Sequence, residues 1–178
     1  QNMFIWLYIA CKHASIHKCS RILEIYIYLT DLKKQMPKKM GTPIGTLNAN
    51  TGFTYVCNMP GSRDANEINI FRKEEWFKVF IHESMHNFNM DFIDMGLHEA
   101  NEQLRRIFCI PHDDILLFET YTETWARIIN TMFDAYFKKD QSSSSSSSSS
   151  SRAHFIHTVR EKLISNAVFY AYQAVKVL

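Results

Sequence analysis

The chain has 178 residues, 20 Lys and Arg against 18 Asp and Glu, a formal net charge of +2, and 46% hydrophobic and 13% aromatic residues. This is apolar material for one domain with a real core, and too little chain for a second full domain. The net charge is small and the basic residues are scattered, which does not indicate the concentrated positive face of a nucleic-acid-binding protein.

Met3 to Ala10 is apolar but only eight residues long, far short of the ~20 that cross a bilayer. With no basic flank and no small-residue cleavage site it does not read as a signal peptide, so a buried strand or helix end is expected. The absence of a span or leader in the sequence suits an intracellular, cytoplasmic protein. Gln1 in place of an initiator Met, and the apolar close Ala174-Val175-Lys176-Val177-Leu178, suit a fragment of something longer.

Cys11, Cys19, Cys57 and Cys109 form no CxxC pair, so neither a zinc ribbon nor a disulfide framework is indicated and reduced thiols are expected. Cys11, His13, His17 and Cys19 cluster in sequence, but on a helix the His pair and the Cys pair face opposite ways and cannot share one ion. Ser20 to Met36 carries Ile22, Ile25, Tyr26, Leu29 and Leu32 at helical spacing and ends at Pro37. The pattern predicts a helix, while its β-branched content leaves a strand open. Lys33, Lys34, Lys38 and Lys39 read as a solvated loop around that proline.

Gly41, Gly45, Gly52, Pro60 and Gly61 punctuate two short runs, residues 53–57 and 68–71, which predict a small sheet. A strand edge just before the next helix can hold an extended peptide by main-chain pairing.

That helix is the informative segment. Phe77, Ile81, Met85, Phe88 and Phe92 recur at three- and four-residue spacing from Lys73 onward, which predicts an amphipathic helix with Glu74 and Glu75 in its first turn. Within it, Ile81-His82-Glu83-Ser84-Met85-His86 contains an HExxH motif. Residues four apart share a helix face, so His82 and His86 can grip one ion, and Glu83 lies about 100° round, beside its open side. Given eight His and ten Glu in the chain, the pattern arises by chance with a probability of roughly 0.02. Two histidines with an acid between them, on a segment independently read as helix, favour a metal over ordinary core histidines.

A catalytic zinc takes three protein ligands and keeps one position open. The third is expected from Phe118 to Arg127, on a long helix with Asp113 and Asp114 as capping candidates, running through Ile128, Met132 and Tyr136. Glu119 and Glu123 are four apart there, and like charges at that spacing cost a few tenths of a kcal/mol, so the pair asks for a reason. One reason is that Glu119 binds the ion while Glu123 holds a ligand histidine by its other ring nitrogen. Tyr121, Trp125 and Ala126 around the acids fit a solvated acidic face less well.

An HESMH helix followed by an ExxxE helix resembles the gluzincin class of zincin metallopeptidases. The resemblance implies an α+β, zincin-like fold, mostly helical with a small sheet beside the HExxH helix, and one bound Zn2+. Residue by residue it implies His82, His86 and Glu119 as metal ligands, Glu83 as general base and Glu123 as the supporting acid. Glu123-Thr124-Trp125-Ala126 can also be read as the ligand motif, which leaves open which acid touches the metal. The wording EEWFKVFIHESMHNFNMDF and ETYTETWARIIN is also similar to metallopeptidase-like proteins of giant DNA viruses, which implies a virus-associated setting. The likeness is sharp over residues 67–137.

The expected activity is hydrolysis of peptide or protein substrates by a zinc-activated water, with His98, His112, Tyr121, His154 and His157 as oxyanion-donor candidates by residue type. The competing class is a catalytically inactive zincin-like component of a larger assembly, viral in the extreme, to which the aromatic richness would lend an interface. Finally, the ten serines 142–151 predict a flexible linker inside a single domain spanning 1–178. Phe155, Val159, Leu163, Ala167, Tyr170 and Ala174 predict one C-terminal helix beyond it.

Overall fold

A computed structural model describes residues 1–14, 22–39, 42, 44–56, 65–108, 115–139 and 148–177. The fold is α+β and mostly helical, with one small sheet. Two compact units divide the chain, Gln1–Ala126 and Arg127–Leu178.

In the first unit, α1 (Asn2–His13) is followed by β1 (Leu23–Thr30), a single-turn α2 (Thr46–Ala49), β2 (Gly52–Tyr55), β3 (Asn66–Arg72), α3 (Trp76–Asn87), α4 (His98–Phe108) and the start of α5 (Leu117–Lys139). The sheet order is β1-β3-β2, with β1 parallel and β2 antiparallel to β3. In the central strand Ile68 and Ile70 are fully buried. They stand two apart and so share the sheet face on which α3 packs. From the helix side Phe80, Ile81 and Met85 close that core, each worth about 1.5–3 kcal/mol of burial.

Within residues 20–36, where a helix was expected and a strand left open, Leu23–Thr30 forms a strand and residues 31–36 form no regular element, while residues 20 and 21 lie outside the described residues. Leu-Glu-Ile-Tyr-Ile-Tyr-Leu-Thr alternates β-branched or apolar residues with polar or aromatic ones, and pairing with β3 in the register Ile25↔Ile68 and Ile27↔Ile70 decides the matter. An irregularity between Ile27 and Thr30, with Leu29 at φ 47°, ends the clean pairing. The motif helix also starts three residues later than its acids suggest. Glu75 is its N-cap in the left-handed conformation, φ 54°, and no acid lies in the first turn. Met3 to Ala10 lies within helix α1, and α4 is a helix that the sequence reading did not anticipate.

Helix α1 is fastened to α3 by one buried bond. The Trp6 indole Nε1 donates to Ser84 Oγ at 2.6 Å, and Ser84 Oγ donates to the Ile81 carbonyl at 2.8 Å. Trp6 and Ala10 are buried at this contact, which seats an apolar helix against the back of the motif.

The second unit is a helical hairpin made by the rest of α5 and by α6 (Ser148–Val177), which begins within the serine tract. Arg127 stacks over Tyr170 at 4.2 Å, Asp134 meets Lys162 at 3.5 Å, and Tyr136 meets Phe155 edge-on at 6.4 Å. As one partner's number rises the other's falls, so the two helices run antiparallel. The remaining serines, residues 142–147, lie outside the described residues. No helix among the described residues is long and apolar enough to cross a membrane.

Candidate metal centre

Two helices of the first unit build the site. Helix α3 presents His82 and His86 one turn apart, and α5 brings Glu119 and Glu123 against them. The Nε2 atoms of His82 and His86 are 3.1 Å apart, and Glu119 Oε2 lies 3.2 Å from the first and 3.4 Å from the second. These three atoms belong to the cluster His82, His86 and Glu119, whose geometry can hold a metal ion. Around a tetrahedral ion bonded at about 2.0–2.1 Å, neighbouring donor atoms stand about 3.3–3.4 Å apart. The measured triangle matches one face of that tetrahedron, so the residues fit the ion. The His82 and His86 side chains are 16% and 12% exposed and Glu119 is 43% exposed, so solvent reaches the site from the α5 side.

The two acids take different positions around the histidines. Glu119 contacts both Nε2 atoms, whereas Glu123 Oε2 lies 3.3 Å from Nδ1 on the far side of the His82 ring. That contact has ion-pair length without the alignment of a hydrogen bond, since the buried Nδ1 has no hydrogen-bond partner among the described residues. The cation missing from the sequence reading is Lys78. Its Nζ is 2.8 Å from Glu123 Oε1 and 3.9 Å from Glu75 Oε2, and its side chain is buried, so Glu119 and Glu123 do not stand as two bare charges. Lys78, His82 and His86 occupy successive i,i+4 positions, a signal that the sequence did carry.

Asp91 is the second residue that sequence reasoning missed. It is 1% exposed, and its Oδ2 makes a very short contact with His86 Nδ1. Both motif histidines therefore have a carboxylate behind them, Glu123 for His82 and Asp91 for His86.

These contacts set the protonation pattern of the cluster. Burial pulls the His86 imidazole down, but its bonds to Asp91 and Glu119 outweigh that and push it up to about 9. Burial likewise opposes the His82 charge and is overcome by Glu119 and Glu123, which raise it. Hydrogen bonds from the two imidazoles hold Glu119 well below the usual carboxylate range. Glu83 moves the other way: burial raises it, and the positive charge on His82 and His86 offsets only part of that rise.

Of the oxyanion-donor candidates, Tyr121 lies between the two acids on α5, with its ring 4.2 Å from Phe92. His98 is exposed at the start of α4, His154 and His157 belong to α6 in the second unit, and His112 lies outside the described residues, as do Asp113 and Asp114. Cys11 is a free, exposed thiol on α1 and His13 is exposed on the same helix, whereas His17, Cys19, Cys57 and Cys109 lie outside the described residues. Comparisons with protein-family models, curated proteins and solved structures return no match to this chain.

Proposed function

We propose that this chain is a zinc-dependent metallopeptidase of gluzincin type, with His82, His86 and Glu119 holding one zinc ion and Glu83 as general base. The observation that carries the reading is the triangle of two imidazole nitrogens and one carboxylate oxygen, with edges of 3.1, 3.2 and 3.4 Å. Two imidazoles with one carboxylate are a zinc donor set that leaves a fourth position free for chemistry. When bound, zinc lowers the pKa of water to near neutrality and polarises a carbonyl oxygen.

The protein's own groups supply the rest. Glu83, raised by burial, is a better proton acceptor than a solvated carboxylate. It takes the proton of the attacking water and returns it to the amine nitrogen as the peptide bond breaks. Lys78 fixes Glu123, and Glu123 sits behind His82, so the first ligand ring is held from below. The Asn87 side-chain amide, one residue beyond His86, donates to Thr54 Oγ1 at 2.9 Å and to the Tyr55 carbonyl at 3.3 Å. This ties β2 to the end of the motif helix, where an extended peptide can be paired by main-chain hydrogen bonds.

The test is hydrolysis of a fluorogenic peptide library by the zinc-loaded chain and by Glu83→Gln at equal zinc content. Loss of turnover by about 10²–10⁴-fold in the variant, with zinc retained, is expected. Equal activity in the two proteins would overturn the reading. Full zinc binding without turnover on any peptide would favour the non-catalytic assembly component instead.

A further inference from the structure

We propose that Asp91 is the positioning residue for His86, fixing the direction in which its Nε2 faces the metal, and that the loop following α3 is built to deliver it. The inference rests on the metal-site reading above.

Two residues past the end of α3, Asn89 adopts the left-handed region at φ 52°. The Asn89 N–H donates to the His86 carbonyl at 3.0 Å and the Met90 N–H to the Met85 carbonyl at 2.9 Å. That pair of bonds is a Schellman reversal, with Asn in the place usually taken by Gly. It stops the helix one residue past the motif and sends the chain back along the face that carries His86. Asp91 follows two residues later, deep in the protein.

Its carboxylate is then held at both oxygens. Oδ2 accepts from the His86 ring at Nδ1, while the Ile93 backbone N–H donates to Oδ1 at 3.4 Å. A carboxylate so placed keeps one ring proton on Nδ1, so Nε2, which faces Glu119 and His82, is the ring nitrogen left to meet a metal. Partners of this kind behind a metal-ligating imidazole alter metal affinity by about 10–100-fold.

The loop also accepts backbone strain. Phe92 sits at φ 47°, a conformation that bulky residues rarely adopt. Its ring packs on Tyr121 of α5 at 4.2 Å, so the loop is clamped to the helix that supplies Glu119. One short segment thus orients one ligand and docks on the element carrying another.

The experiment measures zinc affinity by competition with a chromophoric chelator for the unaltered chain, Asp91→Ala, Asp91→Asn and the exposed-acid control Glu99→Gln. It adds the visible spectrum of each cobalt-substituted protein and the solvent exchange of the His86 ring N–H by NMR. Expected are a 10–100-fold loss of affinity in Asp91→Ala, a smaller loss in the isosteric Asp91→Asn, and no loss in Glu99→Gln. The cobalt spectrum should change in Asp91→Ala, and the ring N–H should be protected in the parent and exchange rapidly in that variant. Should Asp91→Ala fail to fold, the Asn variant and the ring N–H carry the decision, because a partner that only fills space would leave both at parental values. Zinc affinities within twofold, unchanged cobalt spectra and an unprotected ring N–H in a parent that binds zinc would overturn the inference alone. A parent that binds no zinc would instead overturn the metal-site reading and this inference with it.

Discussion

A methyl group added at Gly52 probes how the sheet is seated on the motif helix. The Cβ of Gly52→Ala would fall 2.6 Å from the Asn69 carbonyl oxygen, 2.8 Å from Ile70 Cδ1 and 3.1 Å from Val79 Cγ1. The Ile70 methyl can rotate away, but the Asn69 carbonyl belongs to the central strand and cannot. Restoring an ordinary contact of 3.4 Å from 2.6 Å requires a displacement of 0.8 Å, and it must come from β2. That moves Thr54 and Tyr55, which hold Asn87 at the end of the motif helix. Overpacking of this kind costs about 1–3 kcal/mol, equivalent to a fall in Tm of about 2–12 °C for a chain of this size. Thermal unfolding followed by circular dichroism measures it, with Gly96→Ala as control, because a Cβ at Gly96 meets nothing within 4 Å. Equal Tm values for Gly52→Ala and the parent would refute the close approach of β2 to β3 and α3 at Gly52.

Other substitutions test the supports of the site. Ser84→Ala strands the buried Trp6 Nε1, whose 2.6 Å bond it removes, at about 1–3 kcal/mol in urea unfolding; a parental midpoint would show that α1 is not fastened there. Asn89→Gly should keep parental stability and Asn89→Val should lose about 1–2 kcal/mol, because only the β-branched residue resists the φ of 52°; equal stability of the two would contradict the turn. The metal-free protein should lose stability as pH rises. His86 titrates near its ordinary 6.5 when unfolded and near about 9 when folded, so its protonation stabilises the fold fully below 6.5 and that contribution vanishes as pH climbs through about 9. A Tm of the metal-stripped chain that is flat or rising across that window would contradict this. Zinc uptake at pH 7.5 should expel the His86 proton, giving a calorimetric enthalpy that varies with the ionisation enthalpy of the buffer; a buffer-independent enthalpy would show the site already deprotonated.

The motif helix was legible because its apolar stripe and its His pair obey the same 3.6-residue period. β3 was legible too, since Ile68 and Ile70 alternate between turn signals. The strand over Leu23–Thr30 was not, because Ile22, Ile25, Tyr26 and Leu29 satisfy helical spacing while Leu23, Ile25, Ile27 and Leu29 satisfy alternation. The deciding partner, β3, lies some forty residues away, where local periodicity cannot see it. Spacing put Glu119 and Glu123 on one face but could not rank them, because only the approach of α5 decides which carboxylate meets the Nε2 atoms. Lys78 was readable in principle, four residues before His82. Asp91 was not, because its position depends on the left-handed Asn89 and the chain reversal that follows it.

The claim at the centre of this account is that His82, His86 and Glu119 hold one zinc ion. Zinc per chain after mild purification and zinc back-titration, measured by elemental analysis, tests it most directly. About one zinc in the parent and in Glu83→Gln, with little in His86→Ala or Glu119→Ala, is the predicted result. No zinc in the parent after back-titration, or a full zinc in His86→Ala, would contradict it.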